Sequence, residues 1–394
     1  METTNDLNRK NYIWIVVSLW VFLGDVELKA ENIENQESKT AQLLSSFDSQ
    51  IRDKIGICHI NPFYNFTDKD YLNEGADEIL RLGSRTIKLV IRDKMAGYYS
   101  FNHNWPAKFN SLIEAAESSY FKEVFSKAFN TYILMVFAPG REDIHYFTNG
   151  MTPEDIRHEC ESFYEFSKYL MTTYSGTGKR FIFQNWEGDW VLAPYPDEDK
   201  KATPTAIQGM IDWLNARQDG VEQARKELGG TGVEVYHAAE LNRILRSMKG
   251  ISSVANDVLP HTHCDLYSYS SYDIIGESPD IFQNALEYLR DKAPDSETFG
   301  ADNIYLGEFG WPESYGGEEK RMRIIKEKLK ISLDFGVQYV CIWDLYCDVV
   351  IKKYEDRPKN ENMVGHWIIR ADGTKTALWY YLEEIYQKNR IICQ

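Results

Sequence analysis

The sequence lacks an excess of positive charge: 44 Lys and Arg stand against 60 Asp and Glu, a formal net charge of −16. That balance argues against nucleic acid or an anionic membrane surface as partner, since both select basic patches. No glycine-rich phosphate loop follows any strand-like run, which counts against a nucleotide-binding α/β fold, and no cofactor is called for. The six Cys form no C-x-x-C pair. Cys58 and Cys341 sit inside apolar runs and read as buried small hydrophobes rather than halves of a bridge, so cysteine usage leaves the redox compartment open. Short-period repeats and low-complexity linkers are missing too. One domain is the simplest reading of 394 residues, because barrels run to 250 residues or more as single units.

The apolar run Tyr12–Leu23 is shorter than the ~20 residues that a spanning helix needs. Arg9 and Lys10 precede it, and Ala30 offers a small residue for cleavage. Residues 1–30 therefore read as a signal peptide, with an uncleaved anchor as the alternative. Residues 31–50 form a polar lead-in, and 51–394 the folded domain. On this reading the mature chain is secreted or periplasmic and has no stable membrane insertion. The sequence leaves its oligomeric state open.

What the chain has in abundance is aromatic residues, 14% of the total, with ten Trp and 25 Tyr. Eight short apolar runs alternate with helical patterns. The runs are 54–60, 86–92, 131–137, 180–187, 232–237, 265–272, 304–306 and 338–343. The helices are 70–82, 108–127, 152–174, 205–228, 279–292, 318–335 and 375–388. Most runs are continuous rather than alternating, as in strands buried on both faces. Eight strand–helix repeats favour an α/β fold of the (β/α)8 TIM barrel type over an open doubly wound sheet.

Two runs end alike. Ile304-Tyr-Leu-Gly-Glu308-Phe-Gly-Trp311 reads apolar strand, Gly, Glu, aromatic, and Phe183-Gln-Asn185-Trp186-Glu187-Gly-Asp189-Trp190 reads apolar strand, Glu, Gly, Trp. Strands four and seven lie across a barrel mouth from one another, so Glu187 and Glu308 would share one cleft. Retaining glycoside cleavage uses such a pair, one carboxylate attacking and the other moving protons. Asp189 is the nearest rival to Glu187.

Over roughly residues 54–388 the chain resembles the retaining glycoside hydrolases of clan A, the 4/7 superfamily. The resemblance rests on Gly307-Glu308-Phe-Gly-Trp311, on Trp343 after the eighth run, and on the closing segment Gly365–Ala377. It implies Glu308 as nucleophile, Glu187 as general acid/base and Trp343 as a sugar platform. It implies Asn185 at the sugar 2-hydroxyl, although Trp186 intervenes where the clan has Asn directly before Glu. Lys88 takes the place of the clan's strand-two Arg, with Arg92 as fallback. The clan's strand-six His-x-Tyr falls on Ser270-Ser-Tyr272, leaving Tyr272, or its rival Tyr269, to reach the nucleophile. The implied partner is a carbohydrate substrate. Trp311 is expected beside the site, and Trp105, Trp186, Trp190 and Trp343 likewise fall at strand tops, where stacking platforms would lie.

Three functions compete: a retaining glycosidase, a non-catalytic carbohydrate-binding barrel, and a metal-dependent hydrolase using His261-Thr-His263-Cys264. The last places its His-x-His before strand six, whereas metal-dependent barrel hydrolases carry theirs on strand one, and no metal is assigned.

Overall fold

The computed structural model describes residues 51–141, 143–193 and 201–392. The leader at 1–30 and the lead-in at 31–50 lie outside the described residues. The barrel is contained in one compact unit, Arg52–Lys388.

Eight parallel strands close on themselves in sequence order. They are β1 (Ile55–Cys58), β2 (Thr86–Ile91), β3 (Thr131–Val136), β4 (Arg180–Gln184), β5 (Glu234–Leu241), β6 (Leu266–Ser270), β7 (Ile304–Phe309) and β8 (Val340–Ile342). The circle is completed where Ile55, Gly56 and Ile57 pair with Val340, Cys341 and Ile342. This is the expected (β/α)8 barrel.

The surrounding helices include α1 (Tyr71–Leu82), α2 (Ser119–Ser126), α3 (Pro153–Thr173), α4 (Pro204–Glu227), α5 (Pro279–Lys292), α6 (Gly317–Phe335) and α7 (Ala377–Ile392). Their starts follow local chemistry. Thr152 and Asp155 form a reciprocal capping box ahead of Pro153, and Ser278 caps α5 through the amide of Ile281. The single helix expected over 108–127 is two. Ser111 caps a short Leu112–Ala116 helix, and the Ser118 side chain then takes the amide of Phe121 to start α2. The α3 and α4 helices meet through a buried Arg217–Glu159 pair at 2.8 Å and through Gly220, where a Cβ would lie 2.3 Å from the Cys160 carbonyl. No described helix is long and apolar enough to cross a membrane.

Inside the barrel, Cys58, Ile133, Ile182, Tyr236, Ala238, Leu266, Tyr305, Tyr339 and Cys341 form the apolar plug. Cys58 and Cys341 are both buried and free. The residues that continue this inward-facing set toward the C-terminal ends of the strands are polar: Lys88, Gln184, Glu240 and Ser268, all completely buried.

Candidate active site

Two strands differ from their expected limits in ways that shape the site. The β7 strand does not stop at Gly307; it runs on through Glu308 to Phe309, with its register shifted against both neighbours in that stretch. The β5 strand does not stop at His237 but continues to Leu241. That extension carries Glu240, a carboxylate that the sequence reading missed. Ala238-Ala-Glu-Leu is a run of good helix formers. The barrel overrides the propensity, because Ala238 pairs with Gln184 on one side and with Leu266 on the other. The period-two continuation from Tyr236 through Ala238 to Glu240 was the signal available.

A cavity of about 910 Å³ opens at the C-terminal ends of the strands. Both Glu187 and Glu308 line it, with Trp186, Trp190, Tyr272 and Trp343 among its walls. Beneath it lies a charged core. The Lys88 ammonium donates to Glu308 Oε1 at 3.0 Å, to Glu240 Oε1 at 3.1 Å and to the Gly307 carbonyl at 3.1 Å. Glu240 Oε1 also accepts from Gln184 Nε2 at 2.7 Å and from Ser268 Oγ at 3.0 Å. Its Oε2 takes the backbone N–H of Glu187 at 3.0 Å. Tyr305 donates to Gln184 Oε1 at 2.6 Å, which orients that amide. Gly307 is required by this crowding: a Cβ there would lie 2.0 Å from Ser268 Oγ and 2.5 Å from Glu240 Oε1.

The electrostatics separate the two cavity glutamates. The Glu308 carboxyl stands raised to about 7: burial pushes it up, the Lys88 ammonium pulls it down in part, and the Glu240 charge pushes the same way as burial. Glu187 is raised well above the usual carboxylate range, by burial first and then by the negative charges of Glu308 and Glu240. Two carboxyl groups whose environments differ in this way suit different proton roles. Burial opposes the Lys88 charge, but Glu240 and Glu308 outweigh it and hold the ammonium well above its ordinary range.

The other expected residues fall into two groups. Trp343 is half-buried on the cavity wall and donates from Nε1 to Asp348 at 3.2 Å. Tyr272 also faces the cavity, and its hydroxyl is buried without a hydrogen bond among the described residues. His366, from the closing segment, stands edge-on to the Tyr272 ring at 5.7 Å. The rival Tyr269 is fully buried and donates to Asp273.

Asn185 is turned away from the cavity. Its Oδ1 accepts the Glu240 N–H at 2.8 Å and its Nδ2 donates to the Glu240 carbonyl at 2.9 Å, clamping β4 to β5. Trp311 does not line the cavity either. It lies against Gly276, with its Nε1 bonded to the Tyr315 carbonyl. Trp105 is buried against Tyr120, with centroids 4.3 Å apart. Asp189 is consumed by the backbone amides of Asn242 and Val254. Arg92 reaches the cavity, yet its guanidinium is bonded to Asp93 and Tyr98. His263 pairs with Asp219 on the exposed surface while Cys264 is buried, and no metal-holding group of three His, Cys, Asp or Glu occurs among the described residues.

No protein-family model matches the chain, and no curated protein matches it by sequence. Solved structures match by fold. A glycoside hydrolase family 5 enzyme of Bifidobacterium longum, in complex with Manβ1-4GlcNAc, gives a TM-score of 0.55 at 14% identity, covering 86% of this chain and 78% of that one. A family 5 lichenase of Caldicellulosiruptor with cellotetraose gives 0.52 at 13% identity, covering 87% and 94%. A β-glucuronidase of Bacteroides uniformis gives 0.50 at 10% identity and 84% coverage, and the chain spans 34% of that protein's length. The shared feature is the barrel fold, and fold alone does not set chemistry.

Proposed function

We propose that this chain is a retaining glycoside hydrolase acting on a poly- or oligosaccharide, with Glu308 as nucleophile and Glu187 as general acid/base. One observation carries the reading. Glutamates from β7 and from just beyond β4 line one aromatic-walled cavity, and of these two Glu308 bonds to a buried cation while Glu187 does not. That cation favours the ionised form of Glu308, which attack on an anomeric carbon requires. Glu187 has no such partner and keeps its proton for the leaving oxygen.

In the first step Glu308 bonds to the anomeric carbon, the glycosidic C–O bond breaks, and the Glu187 proton goes to the departing oxygen. Esterification removes the Glu308 charge. With that repulsion gone Glu187 remains ionised after giving up its proton, and as a carboxylate it takes a proton from the attacking water. That water attacks the anomeric carbon and releases Glu308 as carboxylate. Trp343 offers the sugar an aromatic face, and Tyr272 lines the same cavity with its hydroxyl turned into the protein. The export expected from residues 1–30 would place this activity outside the cytoplasm.

The test is a screen of glycans and aryl glycosides, repeated with Glu308→Gln and Glu187→Gln. Each variant should lose turnover by ~10³-fold or more while keeping its fold. A 2-deoxy-2-fluoro glycoside should leave its sugar on Glu308. Full activity in Glu308→Gln overturns the proposal. The outward turn of Asn185 favours one second reading, a carbohydrate-binding barrel without turnover. Glycan binding with no product after long incubation would select it.

A further inference from the structure

Glu240 does not line the cavity and is completely buried, so it cannot touch substrate. It nevertheless reaches both proposed catalytic glutamates, Glu187 directly through one carboxylate oxygen and Glu308 through Lys88 on the other. Oε2 accepts the backbone N–H of Glu187 at 3.0 Å. Oε1 accepts the Lys88 ammonium at 3.1 Å, and the same ammonium donates to Glu308 at 3.0 Å. The carboxylate is itself fixed by Gln184 and Ser268, and its backbone by both ends of the Asn185 amide.

We propose that Glu240 is a positioning residue that joins the acid/base to the nucleophile, by fixing the Glu187 main chain and by sharing the Lys88 ammonium with Glu308. The proposal rests on the glycosidase reading above. Its physical basis is the geometry of lysine. An arginine fork can grip one carboxylate with two parallel bonds, whereas an ammonium is a point donor on a flexible stem. Alone in a strand, Lys88 would have no fixed direction. Three acceptors, Glu240, Glu308 and the Gly307 carbonyl, give it one. Glu240 also adds a negative charge that keeps a proton on Glu187 and moderates the pull of Lys88 on Glu308.

The titratable groups around this centre are Lys88 from β2, Glu187 and Asp189 beyond β4, Tyr272 beyond β6, Tyr305 and Glu308 from β7, Asp348 beyond β8, and the thiols of Cys58 and Cys341 beside the lysine. The Tyr305 hydroxyl is raised well above its ordinary range by burial and the Cys58 thiol is raised likewise. Both stay neutral at working pH; Asp348, raised to about 6 by burial, also acts on Glu308 but is common to wild type and variant, so the difference between their profiles reports the loss of Glu240 on the two cavity glutamates.

The experiment is the pH dependence of kcat/KM for wild type and Glu240→Gln, on a substrate that the wild type hydrolyses. Neutralising Glu240 lowers the affinity of both Glu308 and Glu187 for protons. Both limbs of the bell should move to lower pH, by about one unit or more. Loss of the fixed main chain should lower kcat by about 10²-fold with little change in KM. A purely structural role would scale activity down at every pH and leave the limbs in place, and that result overturns the proposal. Glu240→Asp keeps the charge but is one methylene too short to reach both ends. It should keep the wild-type limbs while kcat falls by about tenfold. Wild-type kcat in Glu240→Asp overturns the proposal even if Glu240→Gln does not fold. Glu308→Gln and Glu187→Gln run alongside: turnover in those variants rejects the glycosidase reading itself, whatever Glu240→Gln does.

Discussion

Glu308→Gln should stabilise the protein at alkaline pH and leave it unchanged in acid. Burial raises the Glu308 carboxyl from 4.5 to about 7 in the folded chain, even with Lys88 pulling it down. A group whose folded value is raised holds its proton more tightly in the native state. Its contribution to stability is fully present below about 4.5 and is lost as pH rises through about 7. A rise from 4.5 to about 7 corresponds to about 3 kcal/mol at ~1.36 kcal/mol per pH unit. Glutamine imitates the neutral acid: its oxygen can still accept from Lys88, which donates to Glu308 Oε1 at 3.0 Å. At pH 8 the variant should therefore exceed wild type by about 3 kcal/mol. At ~2.1 cal/mol/K per residue over the roughly 340 residues from 51 to 392, that is about 4 °C in Tm. Calorimetry of both proteins at pH 5 and pH 8 measures it. A pH-independent difference, or a variant less stable at pH 8, would refute the reasoning. The expected result is a catalytically dead protein that melts later, which would show what the site costs the fold.

Two further substitutions probe the same core. Lys88→Met leaves Glu240 and Glu308 buried without their shared cation, and should destabilise by about 3–5 kcal/mol in denaturant titrations near neutral pH. In any residual activity the acidic limb should move to higher pH, and wild-type stability would show that the lysine is not needed. Gly307→Ala puts a methyl 2.0 Å from Ser268 Oγ and 2.5 Å from Glu240 Oε1. Overpacking of this kind should cost about 1–3 kcal/mol, and the displaced Glu240 should lower kcat by about 10²-fold; unchanged kcat would mean that the centre tolerates movement.

The barrel was legible because its signal is repeated. Eight apolar runs separated by capped helices leave few other architectures, and no single boundary matters to the conclusion. The cavity position of Glu187 and Glu308 was legible from the shared pattern at two strand ends. Glu240 was not, because Ala238-Ala-Glu-Leu has the composition of a helix and only pairing with β4 and β6 makes it strand. Trp311 misled for a related reason: proximity in sequence to Glu308 says nothing about which side of the rim a ring packs on. Asp189 was the nearest rival to Glu187 on sequence grounds. They differ because two backbone amides use up the Asp189 carboxylate, while the Glu187 side chain faces the cavity.

The placements of Asn185 and Lys88 are two aspects of one arrangement. Lys88 is a weaker clamp than arginine for a single carboxylate, and the structure supplies a second carboxylate, Glu240, to hold it. Glu240 must then be fixed in place. Asn185 does this by bonding to its N–H and its carbonyl, which takes the asparagine out of the cavity and leaves Trp186 and Glu187 as the residues beyond it on the wall. Arginine alone at position 88 should therefore fail. Arginine at 88 would overfill a completely buried position and compete with Gln184 and Ser268 for the same Glu240 oxygen. Lys88 is thus held by three acceptors rather than by one bidentate pair, and Glu240, Asn185 and Gly307 each take part in that arrangement.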